Sequence, residues 1–139
     1  MTGHATLDQL RAQHAWRVVE DVRTKKGDTG KKYAQEARRL AVRIRMAGLG
    51  QALGFLYAKS DSSDHDPKGL ILKHLADWLL DQRELAACPP GAHNRNAVIR
   101  AIMDGNADLL RRLTEEALRY LQWLTRFTEA EFGSDDFDG

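Results

Sequence analysis

Lys31-Lys32-Tyr33-Ala34-Gln35-Glu36-Ala37-Arg38-Arg39-Leu40-Ala41-Val42-Arg43-Ile44-Arg45-Met46 is the stretch on which the fold turns. Wound at about 100° per residue, it brings Tyr33, Ala37, Leu40, Ala41 and Ile44 to one side, at i, i+4, i+7, i+8 and i+11. Lys31, Arg38 and Arg45 form one row away from that stripe, and Lys32, Arg39 and Arg43 form a second. Both rows flank the direction opposite the apolar side. The segment is therefore an amphipathic helix that buries one face and offers six cations on the other. It stops at Ala47-Gly48-Leu49-Gly50, where Gly48 suits the left-handed position that closes a helix. A short apolar helix over 51–59 follows, with Leu53, Phe55, Leu56 and Tyr57 expected mostly inside.

Helical signals continue in both directions. Upstream, Thr6-Leu7-Asp8-Gln9 has the form of a capping box. The helix it opens carries Ala12, Ala15, Trp16, Val19 and Val22 on one face to about Arg23. The connector over 24–30 is basic and glycine-containing. Downstream, the polar linker over 60–67 ends in Asp66-Pro67, an N-cap followed by proline at the first helical position. Residues 70–85 are apolar enough to be the central core helix, closed by Cys88-Pro89-Pro90-Gly91. Asn94 or Asn96 caps a short helix with Val98, Ile99, Ile102 and Met103 inside. Gly105-Asn106 then leads into a last helix over about 107–130, where Leu110, Leu113, Ala117, Tyr120, Leu121, Leu124 and Phe127 recur at three- and four-residue steps. The spacing predicts surface pairs Asp108–Arg112 and Glu115–Arg119. No alternating β-branched run occurs anywhere. The reading is all-α: a single-domain helical bundle over 1–139, about six helices around a four-helix-bundle-like core at about 6–130. Trp16, Trp78 and Trp123 belong in or at the edge of that core, and 132–139 reads as a disordered acidic tail.

At 139 residues the chain is long enough to bury roughly two thirds of its unfolded surface. The single cysteine, Cys88, excludes an intrachain disulfide. There is no long apolar run and no leader-like start, so neither membrane nor export is expected and the compartment is taken as cytoplasmic. Net charge is +1, yet its distribution is lopsided. Residues 1–59 hold twelve Lys/Arg against five acids, +7; residues 60–139 hold nine against fifteen, −6. Such asymmetry points to an anionic partner or to head-to-tail association of copies.

No catalytic constellation holds. The histidines at 4, 14, 65, 74 and 93 are scattered, with neither the pairing nor the second cysteine of a zinc site. Asp61, Asp64 and Asp66 lack the glycine and bidentate glutamate of a calcium loop. His74 reads as a satisfied boundary histidine, and Cys88 as inert for want of a basic neighbour. Gly48-Leu49-Gly50 lacks the Lys-Ser/Thr of a phosphate loop. The helix after that turn offers no polar base readers, which argues against a helix-turn-helix reader of duplex DNA. Cations without base-reading amides suit phosphate contact, which supplies affinity without sequence preference. The candidate nucleic-acid contacts are therefore Lys25, Lys26, Lys31, Lys32, Arg38, Arg39, Arg43 and Arg45. No catalytic residue, metal or cofactor is assigned.

Four stretches in one order carry a family resemblance: Arg38-Arg39-Leu40 to Ile44; Gly48-Leu49-Gly50-Gln51-Ala52-Leu53-Gly54-Phe55-Leu56; Leu72-Lys73-His74-Leu75-Ala76-Asp77-Trp78-Leu79; and Leu113-Thr114-Glu115-Glu116-Ala117-Leu118 with Trp123-Leu124 and Arg126-Phe127. Together, across most of 6–130, they resemble the small subunit of the Cmr complex, the type III-B CRISPR effector. The resemblance implies a helical bundle without catalytic residues, in a complex acting in antiviral defence. It implies stacking with copies of itself as an inner filament, against the backbone and large subunits and beside CRISPR RNA and target RNA. No family motif assigns the contact residues; the eight cations rest on helix geometry and charge. The competing reading is a helical protein–protein adaptor whose basic face docks on an acidic protein.

Overall fold

The computed structural model describes residues 4–87 and 94–133. These residues form six α-helices and no strand: α1 (Leu7–Arg23), α2 (Thr29–Ala47), α3 (Leu49–Ala58), α4 (Pro67–Ala76), α5 (Ala97–Asp104) and α6 (Ala107–Phe132). A π-helical extension, Asp77–Gln82, continues α4. The local signals for the helix starts are realised at Thr6, Asp66 and Asn106, whereas Asn96 stands at the start of α5 without a side-chain cap bond. Thr6 Oγ1 accepts from the Gln9 N–H while the Gln9 side chain accepts from the Thr6 N–H. Asp66 accepts from the amides of Lys68 and Gly69, and Asn106 from that of Leu109. Gly48, at φ +89°, lies between α2 and α3, a turn that any side chain would strain.

The α2 stripe does what its spacing demands. Tyr33, Ala37 and Leu40 are fully buried and Ile44 nearly so. α6 packs along both α1 and α2, and α2 also touches α3 and α4, so α2 is the hub of the bundle. That differs from the expectation that the 70–85 segment is central. The segment is indeed buried, with Leu70, Ile71, Leu72, Leu75, Ala76, Trp78, Leu79 and Leu80 in the core. It packs against α2, α3 and α5, and its extension against α6, but it does not pack on α1 as α6 and α2 do. Its helix ends at Gln82, and Glu84 at φ +51° turns the chain before the prolines are reached. Cys88 to Gly91, proposed as its stop, lies outside the described residues, as do His93 and most of the acidic tail.

Three expectations about side chains give way. Phe55 is 43 % exposed and Met103 70 % exposed, because α3 and α5 are short outer helices with one covered face each. On α6, Arg112 pairs with Asp108 at 3.3 Å as expected. Glu115, though, pairs with Arg111 at 3.3 Å instead of Arg119. Arg111 also reaches Asp108 at 2.8 Å, so one side chain bridges two acids. Of the tryptophans, Trp78 is buried, whereas Trp16 is 53 % exposed and keeps to the edge of the core, edge-on to Phe127 at 5.3 Å.

Candidate nucleic-acid interface

The predicted cations lie where helix winding puts them, but they do not make one continuous face. With Lys31 as origin, the two rows sit about 120° to either side of the buried stripe, and each borders a packed neighbour. Arg38 and Arg45 line a groove of about 620 Å³ against α6, together with Arg126, Trp123, Asp8 and Glu129. Lys31 and Lys25 line a smaller recess where α6 ends at Phe132. Lys26 is exposed in the connector. Between the two rows the outward strip of α2 carries Gln35, Val42 and Met46, of which Val42 is 50 % and Met46 83 % exposed.

The second row gathers around Glu36. That residue sits about 40° from the row on the side of the apolar stripe, and packing buries it. Its carboxylate lies 3.4 Å from Arg39, 4.0 Å from Arg43 and 3.1 Å from Lys68. Three cations thus share one carboxylate. Lys32 pairs with Asp28 at 3.6 Å. The carboxylates that reach Lys32, Arg39 and Arg43 therefore come from the basic half itself; those of the acidic half reach Arg11 and Arg23 instead. Arg43 also lies over the Phe55 ring at 4.3 Å, and Lys59 at 5.7 Å. Lys59 and Lys68 belong to this cluster and were not among the eight predicted; only the packing of α3 and α4 on α2 brings them there.

A second polar cluster is enclosed. His14 joins Tyr120 through Nδ1 and Asp77 through Nε2, each at 2.6 Å. Burial pushes the imidazole down and the Asp77 bond only partly restores it. The phenol of Tyr120 is pushed well up by burial. The Tyr33 hydroxyl meets His74 Nδ1 at 2.8 Å, which satisfies that histidine as expected. Glu116 accepts from Arg11 (2.6 and 2.9 Å), from the Trp78 indole (2.9 Å) and from Arg83. These bonds run from α1 to α6 and the α4 extension, so their evident work is to pin helices. The partners stand 33 to 106 residues apart along the chain, which is why no local motif announces them. In the linker, Asp61 and Asp66 accept backbone amides of the same loop, and Arg95 holds Ser60 through its carbonyl and hydroxyl. Among the described residues no group of three or more His, Cys, Asp or Glu is placed to hold a metal ion. None of their helices is long and apolar enough to cross a membrane.

The helix order and the basic hub helix can be set against known proteins. The family model described as CRISPR-associated protein (Cas_Cmr5) matches residues 7–131, from the first turn of α1 to the last of α6. The chain belongs to the Cmr5 family. Within that family it is 32% identical over 127 residues to the CRISPR system Cmr subunit Cmr5 of Thermus thermophilus, covering 90% of this chain and 95% of that one. The crystal structure of a CRISPR-associated Cmr5 family protein from the same organism superposes with a TM-score of 0.71 at 27% identity, covering 91% of this chain and 97% of that one. The Cmr5 fold is thus shared nearly end to end, and the resemblance carried by the four sequence stretches is a real kinship.

Proposed function

We propose that this chain is the non-catalytic small subunit of a type III-B Cmr ribonucleoprotein effector, working in the cytoplasm in antiviral defence. It stacks with copies of itself as an inner filament beside the backbone and large subunits. The cations of α2 and its preceding connector hold phosphates of guide and target RNA. The observation that carries the assignment is the family match across all six helices. What supports the RNA contact is electrostatic: residues 1–59 carry +7, the acidic half pairs with Arg11 and Arg23 rather than with the α2 cations around Glu36, and three cations there share one carboxylate. The exposed Val42 and Met46 between the rows suit a protein neighbour, as a stacked subunit would supply.

The test is a salt titration of binding to single-stranded oligo(rU). Lys31, Arg39 and Arg45 are exposed and avoid the apolar stripe, so replacing all three by Ala leaves the fold intact. Each phosphate contact on a single strand contributes about 0.7 to the slope of log K against log salt, so the triple variant loses about 2 from that slope. An unchanged slope overturns the assignment of this face. Binding that survives only at very low salt favours the acidic-protein adaptor instead.

A further inference from the structure

We propose that Phe55 is a stacking position for one unpaired base, with Arg39, Lys59 and Lys68 taking the flanking phosphates. This deepens, and rests on, the nucleic-acid reading above. α3 buries Leu49, Leu53 and Leu56 to 1 % exposure or less, yet leaves the larger Phe55 43 % exposed. The ring is left in water among charges. Arg43 lies 4.3 Å and Lys59 5.7 Å from its centroid. Arg43 also lies 4.0 Å from Glu36, which gathers Lys68 at 3.1 Å and Arg39 at 3.4 Å. Nη1 of Arg43 and Oε1 of Glu36 are both fully buried without a hydrogen-bond partner. The partly buried guanidinium therefore serves as a packing partner for the ring, whereas Arg39 is exposed and Lys59 sits exposed at the end of α3. Four cations, one carboxylate and an open aromatic ring make a cluster with two needs, anions and a flat partner.

A single-stranded nucleotide meets both. Its base presents a π-face to the ring, and its flanking phosphates reach the cations; stacking of this kind tolerates any base. A duplex meets only one, because its bases are already stacked on one another. An acidic peptide likewise satisfies the cations and leaves the exposed part of the ring uncovered.

The experiment compares two labelled probes of equal length, oligo(rU) and the same ribose-phosphate chain without bases, on the full-length protein. Phe55→Leu should lower affinity for oligo(rU) about tenfold while leaving the salt slope and the affinity for the abasic probe unchanged. Phe55→Tyr, which keeps the ring, should bind both probes as the unaltered protein does. Far-UV circular dichroism verifies that both variants are folded. Full oligo(rU) affinity in Phe55→Leu overturns the stacking position and leaves the phosphate reading intact. Equal losses on both probes also overturn it, since the ring then acts through the fold or the cations. If the unaltered protein binds neither probe, the nucleic-acid reading falls and this inference falls with it.

Discussion

Replacing Glu116 by Gln keeps the side chain's size and removes its charge at the most heavily bonded carboxylate among the described residues. Glu116 is 5 % exposed and Arg11, its bidentate partner from α1, is 7 % exposed. The Trp78 indole and the Arg83 guanidinium donate to the same carboxylate. A glutamine has one acceptor oxygen and must turn an N–H₂ toward one of these donors. As a charged partner Arg11 would keep only Asp8, 3.2 Å away and largely solvated. Breaking a buried ion pair by altering one partner costs about 3–5 kcal/mol; with Asp8 still in reach, the low end, about 3 kcal/mol, is expected. For a chain of 139 residues that lowers Tm by about 10 °C, given an unfolding entropy of about 2.1 cal/mol/K per residue. Thermal unfolding followed by circular dichroism at pH 7 reads the loss. The pH dependence adds a second check. Burial pushes the Glu116 carboxyl up, but the hydrogen bonds from Arg11 and Trp78 and the charges of Arg11 and Arg83 outweigh it, and the net position is below the ordinary 4.5. A carboxyl so depressed stabilises the fold above that ordinary value and loses its contribution as pH falls through the folded one. The gap between the two proteins should therefore close in acid. A loss under about 1 kcal/mol at pH 7, or a gap indifferent to pH, would show that the arginines simply turn to solvent.

His74 supplies a separate pH signature. Burial, with smaller contributions from neighbouring His14, Lys25 and Lys73 and opposed by Asp77, lowers it to about 4. The unfolded chain then binds a proton that the fold refuses, so stability falls as pH drops from 6.5 toward 4, by roughly 2–3 kcal/mol at pH 4.5. His74→Gln should remove that part of the decline in urea unfolding at pH 7 and 4.5, leaving the smaller part due to His14; an unaltered decline would refute the assignment. Leu40→Ala, at a fully buried position of the α2 stripe, should cost about 2–5 kcal/mol in urea unfolding. Val42→Ala on the exposed strip should cost under about 0.5 kcal/mol, and equal costs would mean that the stripe has been placed on the wrong side.

Much of the fold was legible because it is written locally. The Thr6–Gln9 capping box, the Asp66-Pro67 start, the Gly48 turn and the Asn106 cap each depend on three or four consecutive residues, and each is present as expected. The α2 stripe was legible for the same reason, since a period of 3.6 leaves little freedom about which side goes in. What failed was any judgement that needed to know the neighbours. Phe55 and Met103 look like core residues until α3 and α5 are seen to be covered on one face only. Helix winding alone offers the six cations of α2 as a single face. In the structure, α6 borders one row and the Glu36 cluster gathers the other, with Val42 and Met46 exposed between them.

By itself, then, the order of residues determined the helices, their ends, the buried side of the hub helix and the excess of positive charge in the first 59 positions. These are properties of periodicity, capping and composition, which act over a few residues or none. Only the tertiary structure decided that Lys68 meets Glu36, that Arg43 lies over an open Phe55, and that Glu116 ties Arg11, Trp78 and Arg83 together. Those contacts join residues 12 to 105 positions apart. They exist because burying the apolar stripes presses particular helices together and leaves each enclosed charge to find its partner there.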